Sequence, residues 1–278
     1  MKFISLLKPG IIFGNLVTLS GGYFLASHQH FYVWPWIWTL LGMSLVVGSG
    51  CVFNNLIDRD IDRLMQRTCR RVLAQGQISP TVAVIYGTVL GVLGFLILAT
   101  LTHWLTVVLA AIGFLVYVVV YSLCLKRRSR YGVIVGGIAG AIPPMVGYVA
   151  ASHRLDTGAW LLFALLFLWQ MPHFYAIAIY RLEDFQKAHL PVLPLTKGIP
   201  ATKRSILRYV AIFTVVATLP AWLGYAGIAY GSIALVFGLV WIYLCLQGFS
   251  TPDDKAWARK NFGFSILTIT VLSVMMLF

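Results

Sequence analysis

The sequence predicts an all-α integral membrane protein with nine transmembrane helices in one bundle. Of its 278 residues, 60% are hydrophobic and only 10% are charged, and the mean hydropathy of +0.87 excludes an ordinary soluble domain. An apolar stretch of about 20 residues can cross the hydrocarbon core as a helix. Such stretches lie at residues 11–27, 36–57, 81–101, 104–124, 132–151, 158–180, 206–226, 229–248 and 261–277. Little sequence is left between them, so we expect residues 1–278 to form a single intramembrane domain.

The basic residues predict how this bundle is oriented in the membrane. Cytoplasmic connections of membrane proteins are enriched in Lys and Arg. With nine spans, every Lys and Arg except Arg154 falls on one side. We therefore expect a cytoplasmic N-terminus and a C-terminus outside, with the longest cytoplasmic loops at about 58–80 and 181–205. The same rule accounts for the net charge of +13, so we expect no nucleic-acid partner.

Acidic residues are rare in this chain and are concentrated in two short clusters at the ends of predicted spans. Five of the eight Asp and Glu residues belong to them: Asp58, Asp60, Asp62, Glu183 and Asp184. An even number of spans separates the clusters, so both are expected at the cytoplasmic face. If the second helix continues through the first cluster, Asn54, Asp58 and Asp62 share one face, and Asp60 points largely the other way.

The first cluster has two interpretations. Mg²⁺ takes oxygen ligands and often bridges carboxylates to substrate phosphates, which predicts a metal site. The alternative is a solvated helix end whose aspartates pair with Arg59 and Arg63. The second cluster, taken alone, fits a surface pair between Glu183 and Lys187, four residues apart. Together, the two clusters predict a site at which metal and protein hold one diphosphate.

A diphosphate also needs cations, and a prenyl chain attached to it would suit the apolar bundle. Arg makes bidentate contacts to phosphate, whereas Lys acts as a point charge. We select the basic residues of the cytoplasmic loops as candidates for these contacts: Arg67, Arg71, Lys126 and Lys187.

The two clusters and the stretches around them resemble the UbiA superfamily of intramembrane prenyltransferases. The N-x-x-x-D-x-x-x-D motif of that family matches Asn54, Asp58 and Asp62. Other stretches resemble most closely the members that farnesylate haem: Lys8-Pro9-Gly10, Asn54-Asn55, Arg67-Thr68-x-x-Arg71, Gly140-Ala141-x-Pro143-Pro144, Trp169-Gln170-x-Pro172-His173 and Tyr180-Arg181-x-Glu183-Asp184. The family's second motif usually has two aspartates four residues apart. Tyr180 takes the first of those positions here, so Glu183 and Asp184 both remain candidate ligands.

The resemblance implies an enzyme that uses Mg²⁺, farnesyl diphosphate as donor and haem B as acceptor. A vinyl group of the haem would become the hydroxyethylfarnesyl group of haem O; an aromatic quinone precursor is the alternative acceptor. The implied metal ligands are Asn54, Asp58, Asp62, Glu183 and Asp184. Three of them, Asp58, Asp62 and Asp184, are implied to be catalytic. The implied substrate-binding residues are Asn54, Asn55, Arg67, Arg71, Lys126, Lys187 and His173.

The resemblance also implies a multi-pass protein of the bacterial cytoplasmic (inner) membrane. Besides membrane lipid, its partners would include a protein that receives haem O, either a terminal oxidase or a haem A synthase. His173 lies beside Gln170 inside the sixth span, where polar groups commonly serve function. It is either an axial ligand of the haem iron or a core histidine hydrogen-bonded to a neighbouring helix.

Overall fold

The computed structural model describes residues 2–27 and 30–278, and over those residues it is helical without strands. The helices are α1 (Lys2–Leu6), α2 (Pro9–Ala26), α3 (Val33–Ile57), α4 (Arg59–Asp62), α5 (Pro80–Leu101), α6 (Trp104–Leu115), α7 (Gly132–Ser152), α8 (Thr157–Tyr180), α9 (Leu182–Lys187), α10 (Leu193–Lys197), α11 (Ile199–Trp222), α12 (Ile228–Gln247) and α13 (Asp254–Met275). A π-helical segment, Val116–Leu125, continues α6.

Eight helices are long and apolar enough to cross a membrane, counting α6 with its π-helical continuation as one. They are α2, α3, α5, α6, α7, α8, α11 and α12. The all-helical membrane architecture is therefore confirmed. The predicted ninth span, residues 261–277, overlaps the second part of α13, a helix of 22 residues that packs along α8, α2 and α12. Because Lys255, Arg259 and Lys260 fall in its first half, α13 is not among the eight, and the ninth crossing stays a prediction.

The helix that forms the predicted seventh span begins and ends earlier than we expected. We expected residues 206–226 to form it, whereas α11 runs from Ile199 to Trp222. Pro200 lies in the first turn of α11, where a missing N–H costs no hydrogen bond. Lys203 and Arg204 therefore belong to α11 rather than to the loop before it.

The most buried spans are α7 and α8, which lie at the centre of the bundle. α7 continues through Pro143 and Pro144 without ending. It packs against α2 so closely that a Cβ atom added at Gly22 would lie 2.0 Å from the carbonyl oxygen of Pro144. A Cβ at Gly147 would lie 2.0 Å from the carbonyl oxygen of Leu19. Glycine has no side chain, so it lets the backbones of two membrane helices come into contact. Such close packing stabilises helix pairs in a membrane, where the hydrophobic effect contributes little to their association.

This contact predicts a specific loss of stability. Gly22→Ala is expected to lower the free energy of unfolding by about 1–3 kcal/mol or more, because the backbone of α7 must move to admit the methyl group. Thermal unfolding of the purified protein in detergent would measure it. Gly14→Ala in the same helix is the matched control, since nothing lies within 4 Å of its Cβ position. Equal melting temperatures for the two variants would contradict the close approach.

Two small apolar clusters fold the long loops against the ends of the spans. One cluster joins the region of α4 to the region of α9. It consists of Ile61, Met65, Ala188 and Leu190, with Phe185 and Val192 packed against them. The other joins α1 and residues 72–78 to α3 and α5: Leu6, Val52, Leu73, Ile78 and Ala83. The loop that follows each acidic cluster is thereby held in place by buried apolar side chains.

Candidate active site

The first acidic cluster keeps helical register across a break in the helix. α3 ends before Asp58, whose φ of −88° and ψ of 0° are not helical. Nevertheless, the Asp58 N–H donates to the carbonyl oxygen of Asn54 at 2.9 Å, and the Asp62 N–H donates to that of Asp58 at 2.8 Å. The three side chains therefore stay in i, i+4, i+8 register, and all are buried, with relative exposures of 3%, 0% and 2%.

Asp60 lies outside this face, as the register predicts. Its side chain is 62% exposed and accepts two hydrogen bonds from the Arg127 guanidinium, at 2.6 and 2.7 Å. These bonds hold the pKa of Asp60 at about 2, below its ordinary value. The pair ties the first cluster to the loop that contains Arg127, and Asp60 is left out of the candidate site.

The two buried carboxylates of the cluster are paired with cations. One oxygen of Asp58, Oδ2, accepts a hydrogen bond from Lys126 Nζ, while its Oδ1 is buried without a hydrogen-bond partner among the described residues. Asp62 accepts from Arg71 Nη1 at both oxygens, at 3.0 and 2.8 Å. Burial lowers the pKa of Lys126, but Tyr121 and Asp58 raise it, and the net shift is upward. Lys126 is therefore charged in this pair.

Two asparagines extend the polar face towards the N-terminal segment. Asn54 Oδ1 accepts from Lys8 Nζ at 2.5 Å, and its Nδ2 donates to Ser122 Oγ at 3.0 Å. Asn55 Nδ2 donates to the carbonyl oxygen of Leu6 at 2.9 Å. Its Oδ1 is buried and has no partner among the described residues. An orphaned buried acceptor is costly unless a ligand satisfies it.

Lys8 is a site residue that the sequence did not predict. Its φ of 53° places it in the left-handed region, which costs roughly 1–2 kcal/mol for a residue with a Cβ. Burial, and then the nearby Arg71, lowers the pKa of Lys8 to about 8. The sequence signal was a cation directly before a helix-starting proline, in a stretch that carries the family resemblance but to which we gave no role in the site.

The second cluster meets the segment that follows the first. Asp184 is 8% exposed, and its Oδ1 accepts a hydrogen bond from the Gln66 N–H at 2.7 Å. Glu183 points away: its side chain is 81% exposed and lies 3.8 Å from Lys255 Nζ. The structure thus brings Asp184, rather than Glu183, to the loop that carries the first cluster.

Positive charge is concentrated beside the acidic face. Arg67, Arg70 and Arg71 line a pocket of about 260 Å³ together with Asn55. Partial burial, and then the nearby Arg71 and Arg181, lower the pKa of Arg67. An anion in the pocket would relieve this repulsion. Lys187, also predicted to bind substrate, is exposed on α9 and forms no ion pair within the described part of the chain.

The donor set fits a hard divalent cation, although the present arrangement is not a formed metal site. Within residues 2–27 and 30–278, no three His, Cys, Asp or Glu side chains are grouped closely enough to hold an ion. Lys126 and Arg71 occupy carboxylate oxygens that an ion would use. The donors nevertheless are carboxylate and amide oxygens, the ligands that Mg²⁺ prefers. The orphaned Oδ1 of Asp58 is available without displacing any hydrogen bond.

His173 lies in α8, where its imidazole contacts α13. Its Nδ1 is 2.7 Å from Ser265 Oγ, and its ring stacks on that of Trp169 at 4.7 Å between centroids. Neighbouring Gln170 uses both hydrogens of its amide inside the bundle, since its Nε2 donates to the carbonyl oxygens of Gly137 and Leu166, both at 3.1 Å.

Comparisons with known proteins agree with one another. Residues 15–268 match the model of the UbiA prenyltransferase family. Protoheme IX farnesyltransferases of Klebsiella pneumoniae subsp. pneumoniae and Citrobacter koseri are each 50% identical over 99% of this chain and 93% of their own length. A solved structure of digeranylgeranylglyceryl phosphate synthase has a TM-score of 0.78 at 19% identity, covering 99% of this chain and 98% of that one. A UbiA homolog from Archaeoglobus fulgidus bound to GPP and Mg²⁺ has a TM-score of 0.74 at 16% identity, covering 100% and 99%.

Proposed function

Because the chain belongs to the UbiA prenyltransferase family, we propose that it transfers the farnesyl group of farnesyl diphosphate to a vinyl group of haem B. The observation that carries this proposal is the 50% sequence identity, over 99% of the chain, to relatives named for this reaction. The site supports it with buried carboxylates beside an arginine-lined pocket. An aromatic quinone precursor is the other acceptor of the same chemistry, and the names of those relatives favour haem.

Four side chains are proposed to hold Mg²⁺ at the diphosphate: Asn54, Asp58, Asp62 and Asp184. The ion, when bound, neutralises charge that develops on the leaving group. Glu183 is left out of this set, because it is exposed and faces Lys255. The proposed ligands lie between the last turn of α3 and the end of α4, and within α9, so substrate binding would draw two separate segments onto one anion.

The basic residues are proposed to exchange partners when substrate binds. Lys126 and Arg71 would release Asp58 and Asp62 to the metal and turn to the diphosphate oxygens. Arg67 would add a further contact from the pocket, and Lys8 would likewise release Asn54 Oδ1, the only oxygen of that side chain, to the metal. Each cation then acts on negative charge that grows as the carbon–oxygen bond breaks.

The reaction follows from these roles. The bond between farnesyl C1 and diphosphate oxygen breaks, and diphosphate leaves with the electron pair. The terminal vinyl carbon of haem donates its π electrons to C1, forming the new carbon–carbon bond. Water adds to the carbon next to the porphyrin and loses a proton, giving the hydroxyl group of haem O. The apolar bundle would hold the farnesyl chain and keep water away from C1 until the bond forms.

We place the protein in the bacterial inner membrane as one domain of nine spans, with α13 as the last and the acidic face cytoplasmic. The basic loops beside the site fit the positive-inside rule. A terminal oxidase or a haem A synthase is the proposed recipient of the product.

The activity is testable in isolated membranes that contain the protein. Incubation with haem B, farnesyl diphosphate and Mg²⁺ is expected to yield haem O, read by mass, and EDTA is expected to abolish its formation. Membranes without the protein are the control. Prenylation of an aromatic acid in place of haem, or haem O formation that survives EDTA, would overturn the proposal.

A further inference from the structure

His173 differs from the other described histidines in its place in the fold. It is the one that lies inside a candidate membrane span, seven residues before the end of α8, or roughly 10 Å along the helix axis. Its side chain is neither fully buried nor on an outer loop: it is partly exposed while in contact with the rings of Trp169, Phe174 and Phe262.

The hydrogen bonds around Ser265 decide which nitrogen of His173 carries the proton. Ser265 Oγ donates to the carbonyl oxygen of Phe262 at 2.7 Å. A hydroxyl has one hydrogen, so in its contact with His173 Nδ1 the same Oγ must accept. Nδ1 therefore carries the hydrogen, and the lone pair of the neutral imidazole is on Nε2.

The ring is held rigidly in this orientation, with Nε2 unused. Trp169 stacks on one side at 4.7 Å and 27°, and Phe262 contacts the ring at 4.8 Å. The Trp169 Nε1–H donates to the backbone carbonyl of Ser265 at 2.7 Å, which fixes α8 against α13. Within the described part of the chain, no residue forms a hydrogen bond with Nε2.

This is the arrangement of an imidazole that binds a metal. Histidine ligands almost always donate their second ring N–H to a hydrogen-bond acceptor, which fixes both the tautomer and the ring plane. Nε2 keeps some accessible surface and has no hydrogen-bond partner among the described residues, so its lone pair is open to a ligand. His173 can therefore hydrogen-bond to α13 through Nδ1 and still bind a metal through Nε2.

We infer that Nε2 of His173 binds the iron of the acceptor haem axially, and that Ser265 positions it. The inference rests on the proposed function, since haem is the only iron-containing group in the reaction. Iron ligation would anchor the porphyrin inside the bundle and leave its vinyl edge free to react. His173 donates an electron pair to iron in this role, with no change of oxidation state and no proton transfer.

Absorption spectroscopy of the purified protein with added ferric haem B tests the inference directly. The wild-type protein is expected to show the spectrum of histidine-ligated haem. His173→Ala is expected to lose that spectrum, and added imidazole is expected to restore it by occupying the vacated position. His103→Ala, at the N-cap of α6, is the control and is expected to bind haem as the wild type does.

Ser265→Ala separates ligation from simple loss of packing. It keeps the imidazole but removes the acceptor for Nδ1–H, so haem affinity is expected to fall by about 10–100-fold while a histidine-type spectrum remains at saturating haem. Mg²⁺-dependent binding of farnesyl diphosphate should be unchanged in both variants, which shows that they are folded. An unchanged haem spectrum in His173→Ala would overturn the inference.

The two proposals fail in distinguishable ways. If the wild type makes haem O but its haem spectrum is the same with and without His173, only the iron-ligand inference is lost. If the wild type binds haem through His173 but makes no haem O, the farnesyl-transfer proposal is lost, and the ligand assignment stands as haem binding.

Discussion

Asp58→Asn is expected to lower the rate of farnesyl transfer by more than about a hundredfold while the protein still inserts and folds. Asp58 is completely buried, and its Oδ1 has no partner among the described residues, so it is the oxygen that a metal ion can use most readily. Replacing even an outer-shell partner of a metal ligand costs about 10–100-fold, and an amide in place of the ligand itself should cost more. Initial rates at several Mg²⁺ concentrations would measure the loss.

The same chain offers a matched control two residues away. Asp60→Asn makes an identical chemical change at a carboxylate that is 62% exposed and paired with Arg127. Its activity is expected to stay within about twofold of the wild type, since exposed ion pairs contribute little. Equal losses in the two variants would contradict the assignment of the metal face.

Stability must be measured beside activity, because Asp58 also neutralises Lys126. Removing one partner of a buried pair can cost about 3–5 kcal/mol, and the amide oxygen of Asn recovers part of that. Asp62→Asn gives an independent variant whose cation, Arg71, is 24% exposed and better placed to reach water. A rate loss in both variants without a common fall in melting temperature would assign the effect to chemistry rather than to folding.

Sequence reasoning predicted the helical membrane architecture and a shared membrane face for the two clusters, because both follow from simple rules of apolar length and crossing parity. The apolar stretches of the sequence predicted the ends of the long helices to within a few residues. The exceptions are helices that begin with charged turns, such as α13 at Lys255. The parity of crossings predicted that residues 54–62 and 183–184 share a membrane face. The hydrogen bond from Gln66 to Asp184 shows that the segment just after the first cluster meets the second.

The ion partners within the site could not be predicted, because they depend on how loops fold in three dimensions. Lys126 and Arg71 were expected at the diphosphate, and both hold carboxylates in the structure. Lys8 reaches Asn54 across 46 residues from a left-handed backbone position that no periodicity indicates. Ser265, which fixes the His173 tautomer, is 92 residues away on a helix whose packing partners the sequence left open.

Asp184→Asn and Glu183→Gln form the second decisive pair, since the sequence left both acids as candidate ligands. Asp184→Asn is expected to reduce turnover by more than about a hundredfold, for the same reason as Asp58→Asn. Glu183→Gln is expected to stay within about twofold, because its carboxylate is 81% exposed and only weakly paired with Lys255. Initial rates and the Mg²⁺ dependence of both variants would be measured side by side.

The pair also tests how the two loops are joined. Asp184→Asn keeps an oxygen that can accept from the Gln66 N–H, so the loop contact should persist while the negative charge is lost. Asp184→Ala removes both, and is expected to lower the melting temperature as well as the rate. If Glu183→Gln lost activity and Asp184→Asn kept it, α9 would have to turn by roughly one residue, or about 100°, when substrate binds. Ile61 and Ala188 pack in the apolar cluster that joins the two loops, and that turn would break their contact.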